Sequence, residues 1–267
     1  MRHVSWLEQV ETIDTGDRKR VLVFRYNHVN DNDILDEWAK HFRNHYCSDT
    51  EIDSEASATG MSKSDYLLNI KFPSRTDAPG PSVRAGDFGE ILVADYLQFV
   101  LGYDVPRTRY EFKSIRNEST KGIDVVGFRL ANPSEITNAD ELFTFEVKCS
   151  LTSSNNATLQ NAIDDSKKDF EIRKAESLAA MKIRLRAQSN LSKIALVERF
   201  QNQIDRPYRQ NSGAAAVVAN HVWSQEIIIK ATAKEHPNRS RLTLIVIKGD
   251  QLMNLVHNLY DRACDFT

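Results

Sequence analysis

Two short apolar runs, GAAAVVA at residues 213–219 and RLTLIVIK at residues 241–248, constrain the fold of this chain more than any other feature. Such runs are typical of strands that are buried on both faces, and these occur in sheets covered by helices. Strand-like and helix-like segments alternate from about residue 82 to the end of the sequence. The sequence therefore predicts an α/β domain over residues 82–267, with a mixed central β-sheet flanked by helices.

Hydrophobic periodicity predicts the other elements of this domain. Helices are expected at residues 86–101, at residues 156–202 with a break near Ser189, and in the closing run DQLMNLVHNLYDRAC. Strands are expected at residues 109–115, 123–130 and 142–150. The run HVWSQEIIIKATAKEH fits a helix and a strand equally well.

The first 80 residues are predicted to form a small α/β extension that is able to bind a partner. It contains the strand-like run RKRVLVFRY, the helix-like run DNDILDEWAKHFRNHYC with Asp31 or Asn32 as its N-cap, and the apolar run YLLNIKF. The following segment, FPSRTDAPGPSVRAG, has three prolines and two glycines, so we expect an exposed connection there.

Composition excludes several classes of protein. With 41% hydrophobic and 27% charged residues, the chain has the composition of an ordinary globular protein. It has no apolar run of membrane-spanning length and no secretory signal at its start, so a cytoplasmic location is expected. The three cysteines argue against a disulfide framework, and the net charge of −2 argues against tight binding of nucleic acid by the chain alone.

The predicted strand LFTFEVKCSL carries two charged residues on one face. Side chains alternate along a strand, so Glu146 and Lys148 point away from the apolar face that contains Phe145, Val147 and Cys149. Burying a carboxylate and an ammonium group is costly unless they are paired or bind something. The strand therefore marks a candidate site.

Two further acids are expected near this strand. Asp124 opens the preceding strand in KGIDVVGFRL, and the 22-residue interval from position 124 to position 146 suits neighbouring strands. Glu90 lies in the strongly apolar helix GDFGEILVADYLQFVL, where Gly89 allows close packing. Three clustered carboxylates repel one another unless a divalent cation compensates them, so Glu90, Asp124 and Glu146 are predicted to bind Mg²⁺ or Mn²⁺. Lys148 completes a predicted site for phosphodiester hydrolysis.

The order of helix glutamate, Gly-Ile-Asp and Glu-Val-Lys resembles the PD-(D/E)XK nuclease superfamily over residues 86–150. More narrowly, RAGDFGEILVADYL, KGIDVVGF and FTFEVKCSL resemble the HamA family, the nuclease subunits of Hachiman anti-phage defence. The resemblance implies a restriction-endonuclease-like core with Glu90, Asp124, Glu146 and Lys148 as catalytic residues. It also implies a DNA-degrading effector that is restrained by a helicase, HamB. Gln160 corresponds weakly to a glutamine that some members of the superfamily carry.

Structural explanations compete with several of these interpretations. The acids and Lys148 could form a salt-bridge network at the end of a sheet. A second Glu-x-Lys pair, Glu111 and Lys113, is expected on an exposed strand face outside the site. Glu37, His41 and His45 recur at helical spacing, and a solvated helix face is expected there instead of a metal site. The basic residues on the predicted helix 156–188 are expected to form a solvated face as well.

Two alternative functions remain open. The chain could be a restriction endonuclease that acts alone at a defined sequence. It could also be a catalytically silent adaptor with the same fold, which binds a helicase or DNA. Cleavage specificity, the number of metal ions and the activation trigger have no signature in the sequence.

Overall fold

A computed structural model describes residues 1–152 and 157–265. Its strands form one six-stranded sheet in the order β1-β2-β6-β5-β4-β3. They span Leu7–Asp14 (β1), Arg20–Tyr26 (β2), Val125–Arg129 (β3), Glu141–Ser150 (β4), Arg209–Ala219 (β5) and Leu242–Gly249 (β6). The four central strands β2, β6, β5 and β4 run parallel, whereas β1 and β3 are antiparallel to their neighbours. The predicted α/β class with a mixed sheet is confirmed.

Helices cover both faces of the sheet within the described residues. They span Asn32–Asn44 (α1), Ile52–Thr59 (α2), Lys63–Tyr66 (α3), Gly80–Asp95 (α4), Thr158–Lys168 (α5), Lys174–Ala187 (α6), Leu191–Arg199 (α7), Gln225–Lys230 (α8) and Leu252–Asp265 (α9). Helices α1, α4 and α9 pack on one face around the largest core cluster. Helices α5 and α8 cover the other face, and α6 and α7 pack against β3 and β4. No helix in these ranges is long and apolar enough to cross a membrane.

Several local predictions are confirmed. Asp31 caps α1 by accepting a hydrogen bond from the amide of Ile34, at 3.1 Å. The long helical segment breaks between α6 and α7, where Ser189 has a φ of 54°. Residue 156, the first of that predicted helix, lies outside the described residues, as do residues 266–267 at the end of the predicted domain.

Other local predictions are wrong. Residues 109–115 form turns and bends instead of a strand. Strand β1 was not predicted, because its sequence LEQVETID has only weak apolar alternation at the edge of the sheet. Helix α4 begins at Gly80, within the segment that was expected to be an exposed connection.

The predicted boundary near residue 81 between two domains stays a prediction. Strands β1 and β2 belong to the same sheet as the remainder of the chain, because β2 pairs with β6 from Val21 to Arg25. The first residues of the chain thus extend the central sheet.

Helix α4 lies unusually close to β4, and Gly89 makes this approach possible. A Cβ atom added at Gly89 would lie 2.1 Å from the Sγ of Cys149 and 3.5 Å from side-chain atoms of Val147 and Val217. Cys149 points into the core as its place in the strand predicted. The contact fixes the depth at which the acids of α4 sit.

We expect Gly89→Ala to lower the free energy of unfolding by about 1–3 kcal/mol, because the added methyl group overpacks the α4–β4 contact. Gly86→Ala is the matched control in the same helix, since its Cβ meets no atom within 4 Å. The control should be neutral or stabilising, because alanine favours a helix over glycine by about 0.5–1 kcal/mol. Chemical denaturation of both variants measures the difference, and Cys149→Ala should rescue Gly89→Ala. Equal stability of the two single variants would contradict this account of the contact.

Candidate active site

The acids predicted from the sequence meet at one cleft. Glu90 on α4, Asp124 immediately before β3, and Glu146 and Lys148 on β4 all line a cleft of about 490 Å³. Gly122, with a φ of 99°, forms the turn that brings Asp124 to the start of β3. Antiparallel pairing of β3 with β4, in which Val125 lies opposite Phe145, then places Asp124 beside Glu146.

Asp124 is held by the backbone of the neighbouring strand. Its Oδ2 accepts a hydrogen bond from the amide of Val147 at 2.9 Å, and its Oδ1 accepts one from Nη2 of Arg109 at 3.1 Å. The side chain therefore has a fixed orientation, with its carboxylate directed towards the cleft that Glu146 also lines.

Glu146 is the most strongly perturbed acid of the cleft. Its side chain is only 4% exposed, and its two cationic neighbours, Lys148 and Arg173, both lie 3.6 Å from Oε1. The other oxygen, Oε2, is buried without a hydrogen-bond partner in the described residues. Burial, together with the negative charges of Asp124 and Asp169, raises the pKa of Glu146. An ionised Glu146 therefore requires more positive charge than its neighbours provide.

Lys148 is oriented mainly by Asp165. The Nζ atom lies 2.7 Å from Oδ2 of Asp165 and 3.6 Å from Oε1 of Glu146, so Asp165 is the closer partner. Burial lowers the pKa of Lys148, but the hydrogen bond to Asp165 and the charge of Glu146 outweigh it, so the pKa is raised. Lys148 therefore remains an ammonium group, which suits it to binding negative charge and not to accepting a proton.

Glu90 on α4 shares one cationic partner, Arg109, with Asp124. Its Oε2 accepts a hydrogen bond from the hydroxyl of Tyr110 at 2.6 Å and lies 3.1 Å from Nε of Arg109. Burial raises the pKa of Glu90 to about 8, although the charge of Arg109 opposes the shift. Arg109 thus bridges Glu90 and Asp124, and its guanidinium group neutralises part of the charge that the cluster carries.

The structure adds residues that the sequence reasoning missed. Asp165 and Arg173 line the cleft, and Asp169, which is buried beside Glu146, has a raised pKa owing to burial and to the charge of Asp124. Asp169 and Arg173 lie on a π-helical turn, Asp169–Arg173, between α5 and α6; such turns are frequent at functional sites. The spacing of positions 165, 169 and 173 was the signal, since residues four apart share a helix face.

The second Glu-x-Lys pair lies outside the cleft, as predicted, but not on an exposed strand. Lys113 is 5% exposed and forms an ion pair with the buried Asp87. Glu111 accepts a hydrogen bond from Gln188, beyond the end of α6. Gln160 also lies apart from the cleft lining, because its Oε1 accepts a hydrogen bond from the amide of Thr232 at 2.8 Å.

The expected solvated face is wrong for His41 and His45, whereas Glu37 is partly exposed. Glu37 pairs with Arg2, at 2.5 Å between Oε2 and Nε. His45 is only 4% exposed, and His41 lies 3.0 Å from the buried Asp95 of α4. The two histidines therefore face the protein interior.

The basic residues after β4 are also less solvated than expected. Arg173 approaches Glu146 and Asp169, and Lys174 donates a hydrogen bond to Gln210 at 2.6 Å. Lys182 pairs with Glu198 at 3.3 Å, so these three cations have partners within the protein. They do not form a continuous basic surface.

We expect Glu146→Gln to raise the melting temperature near pH 8 in the presence of a chelator, because glutamine needs no proton uptake on folding, whereas Glu146 must be protonated to be buried. The pKa of Glu146 is higher in the folded than in the unfolded protein. Protonation of Glu146 therefore stabilises the folded state fully below about pH 4.5, and this stabilisation is lost as the pH rises towards the pKa of the folded state. The advantage of the variant should therefore vanish near pH 4. Thermal unfolding across this pH range tests the expectation, with Glu111→Gln as the control. A melting temperature below that of the wild type at pH 8 would contradict the charge argument.

Comparison with known proteins identifies the family of the chain. A family model described as HamA matches residues 1–263, nearly the whole sequence, and the chain therefore belongs to the HamA family. No curated protein matches it. Membership of this family suggests a role in anti-phage defence.

Proposed function

We propose that this HamA-family chain is a metal-dependent DNA nuclease of the PD-(D/E)XK type, the effector subunit of an anti-phage defence complex. The observation that carries the proposal is the convergence of Asp124, Glu146 and Lys148 on one cleft. These residues come from two neighbouring strands, and a carboxylate pair beside a lysine is a suitable set for phosphodiester hydrolysis.

The carboxylates fit a hard divalent cation. Oε2 of Glu146 and Oδ2 of Asp169 are buried oxygens without hydrogen-bond partners in the described residues, and both lie in the same acidic cluster. Asp124 and Glu146 are the residues that would hold Mg²⁺ or Mn²⁺, and Glu90 is the third candidate ligand. When bound, the cation supplies Lewis-acid stabilisation of phosphate charge and a lower pKa for water.

Lys148 supplies the positive charge that the reaction needs. Because Asp165 holds its Nζ at 2.7 Å, the ammonium group is fixed beside Glu146 before a substrate arrives. From this position it orients an attacking water and stabilises the charge that develops on the phosphate. Lys121 and Arg173 also line the cleft and are available for contacts with the DNA backbone.

Arg109 supports a restrained resting state. Its guanidinium group contacts Asp124 and Glu90, the same acids that are proposed to approach the cation. Cation loading therefore competes with an internal ion pair. Such competition is compatible with an effector that is active only after a partner or DNA rearranges the cleft.

These ion pairs also favour one alternative, a catalytically silent adaptor. In that case Arg109 and Arg173 would neutralise the acids permanently, and the cluster would serve stability alone. Full anti-phage protection by a Glu146→Ala, Lys148→Ala double variant would favour the adaptor. Cleavage at fixed sites by the chain alone would favour a restriction endonuclease instead.

We expect Glu146→Gln and Asp124→Asn to abolish Mg²⁺-dependent DNA cleavage, because each removes a negative ligand. Lys148→Met should leave most of the cation affinity but slow cleavage by roughly a hundred- to a thousandfold, as expected for loss of a preorganised charge. Glu90→Gln should have an intermediate effect. Cleavage rates and Mn²⁺ binding, measured on the same protein samples, separate variants that lose a cation ligand from the variant that loses the charge of Lys148.

Glu111→Gln and Lys113→Met are the controls for this series, because they alter the other Glu-x-Lys pair. Glu111→Gln should retain both DNA cleavage and Mn²⁺ binding. Lys113→Met should lose stability, since it leaves Asp87 buried without its ion-pair partner. Loss of cleavage in Glu111→Gln, with cleavage retained in Glu146→Gln, would overturn the assignment of the site.

We also expect the chain to form a stable complex with a HamB-like helicase that suppresses cleavage until DNA and ATP are supplied. The near-neutral net charge of −2 leaves capture of DNA by the chain alone weak, so a partner that delivers DNA is expected. Co-purification followed by cleavage assays with and without ATP measures both effects. A chain that stays monomeric with its candidate helicase would refute the partnership.

A further inference from the structure

A second cluster of potential metal ligands lies where α1 meets the end of α4, and it contains two histidines and one aspartate. His41 lies in the last turn of α1, His45 follows the helix, and Asp95 is the last residue of α4. One ligand atom from each of the three residues lies within 4.8 Å of the other two. His45 and Asp95 are 4% and 0% exposed, so this cluster is largely shielded from solvent.

The distances between these atoms match a small tetrahedral ion. Nε2 of His41 lies 3.3 Å from Nε2 of His45 and 3.0 Å from Oδ1 of Asp95. Zinc binds imidazole and carboxylate groups at about 2.0–2.1 Å, and tetrahedral geometry then separates neighbouring ligand atoms by about 3.3 Å. Both distances from His41 therefore match the separation of neighbouring ligands, and the third pair lies within 4.8 Å.

Nε2 of His41 cannot make a full hydrogen bond to both of its neighbours. Each neutral imidazole carries one N–H group, and a ring nitrogen is either a donor or an acceptor. If Nε2 of His41 donates to Asp95, it has no lone pair to accept a hydrogen bond from His45. If it accepts from His45, its lone pair faces the carboxylate. A cation removes this conflict, because it binds all three atoms through their lone pairs.

Unpartnered buried atoms next to the cluster provide an independent observation. Oδ2 of Asp95 is buried without a hydrogen-bond partner in the described residues, although Nε2 of His3 lies 3.1 Å from it. Nε2 of His3 also has no partner of good geometry, and its ring stacks on Trp38 with 4.1 Å between centroids. The contact between these two atoms is therefore an ion pair without hydrogen-bond geometry, and buried polar atoms usually form hydrogen bonds.

We propose that His41, His45 and Asp95 bind a zinc-type divalent transition-metal ion at a structural site distinct from the carboxylate cleft. Two imidazoles and one carboxylate are donors that suit zinc, whereas the acids of the cleft offer oxygen donors to a harder cation. A water molecule would supply the fourth ligand, and His41, which is 16% exposed, is the part of the site open to solvent. The ion fastens α1, and with it the N-terminal part of the chain, to α4.

Arg107 provides a direct test of this assignment. Its Nη2 lies 2.7 Å from Oδ1 of Asp95, the same oxygen that faces His41. The guanidinium group orients the carboxylate, but its positive charge disfavours a bound cation. Arg107→Gln should therefore bind zinc severalfold more tightly than the wild type. A purely structural ion pair predicts lower stability for this variant and no effect on zinc.

The experiment uses the full chain, stripped with a chelator and then titrated with Zn²⁺ or with Co²⁺ as a spectroscopic probe. We expect one equivalent to bind, to raise the melting temperature and, for Co²⁺, to give the visible absorption of a low-coordinate site. His41→Gln and His45→Gln should weaken binding by at least about 100-fold, more than the loss of a group that only hydrogen-bonds a ligand. His221→Gln, which changes an exposed histidine elsewhere, should bind as the wild type does.

Two outcomes would overturn the proposal. Failure of the wild type to bind one equivalent would refute the site, and so would binding that His41→Gln leaves unchanged. Because His41 is partly exposed, this variant should fold even if His45→Gln does not. Glu146→Gln should retain zinc binding while losing Mg²⁺-dependent cleavage, so failure of the zinc site and failure of the proposed nuclease function are distinguishable.

Discussion

The close approach of α4 to β4 at Gly89 is the constraint on which the arrangement of the acids depends. Without a Cβ at this position, the helix packs directly on Cys149, Val147 and Val217, the apolar face of the central strands. Glu90 is the next residue along the helix, and its depth follows from this contact. A helix held further from the sheet would carry its carboxylate away from Asp124.

The same helix places buried acids in three different polar environments. Asp87 receives an ion pair from Lys113 and a hydrogen bond from Tyr46, while Glu90 is bridged by Arg109. Asp95 faces two histidines and Arg107. Burying charges is costly unless each has a partner, so the aromatic core around α4 depends on these polar contacts. The helix therefore couples the stability of the core to both candidate sites.

The sequence predicted the parts of the fold and site that depend on local pattern. Apolar runs identified β5 and β6, alternation identified the two faces of β4, and the Gly-Ile-Asp turn located Asp124. It did not predict contacts that depend on the meeting of distant segments. Arg109 lies in a segment whose pattern predicts a strand, and the pairing of His41 and His45 with Asp95 joins positions about 50 residues apart. An edge strand such as β1, which is stabilised by pairing more than by its own pattern, was missed for the same reason.

The pairing of β2 with β6 has a consequence for how this chain can be divided. Residues 244–247 of β6 are completely buried, and β2 supplies the hydrogen-bond partners on one side of that strand. A shortened chain without β1 and β2 would present the bare backbone of a strongly apolar strand, which is a template for aggregation. By contrast, the natural outer strand β1 carries Glu8, Glu11 and Asp14, and such charges discourage edge-to-edge association. Strands β1 and β2 thus keep the sheet soluble by covering the backbone of β6 with a charged edge strand.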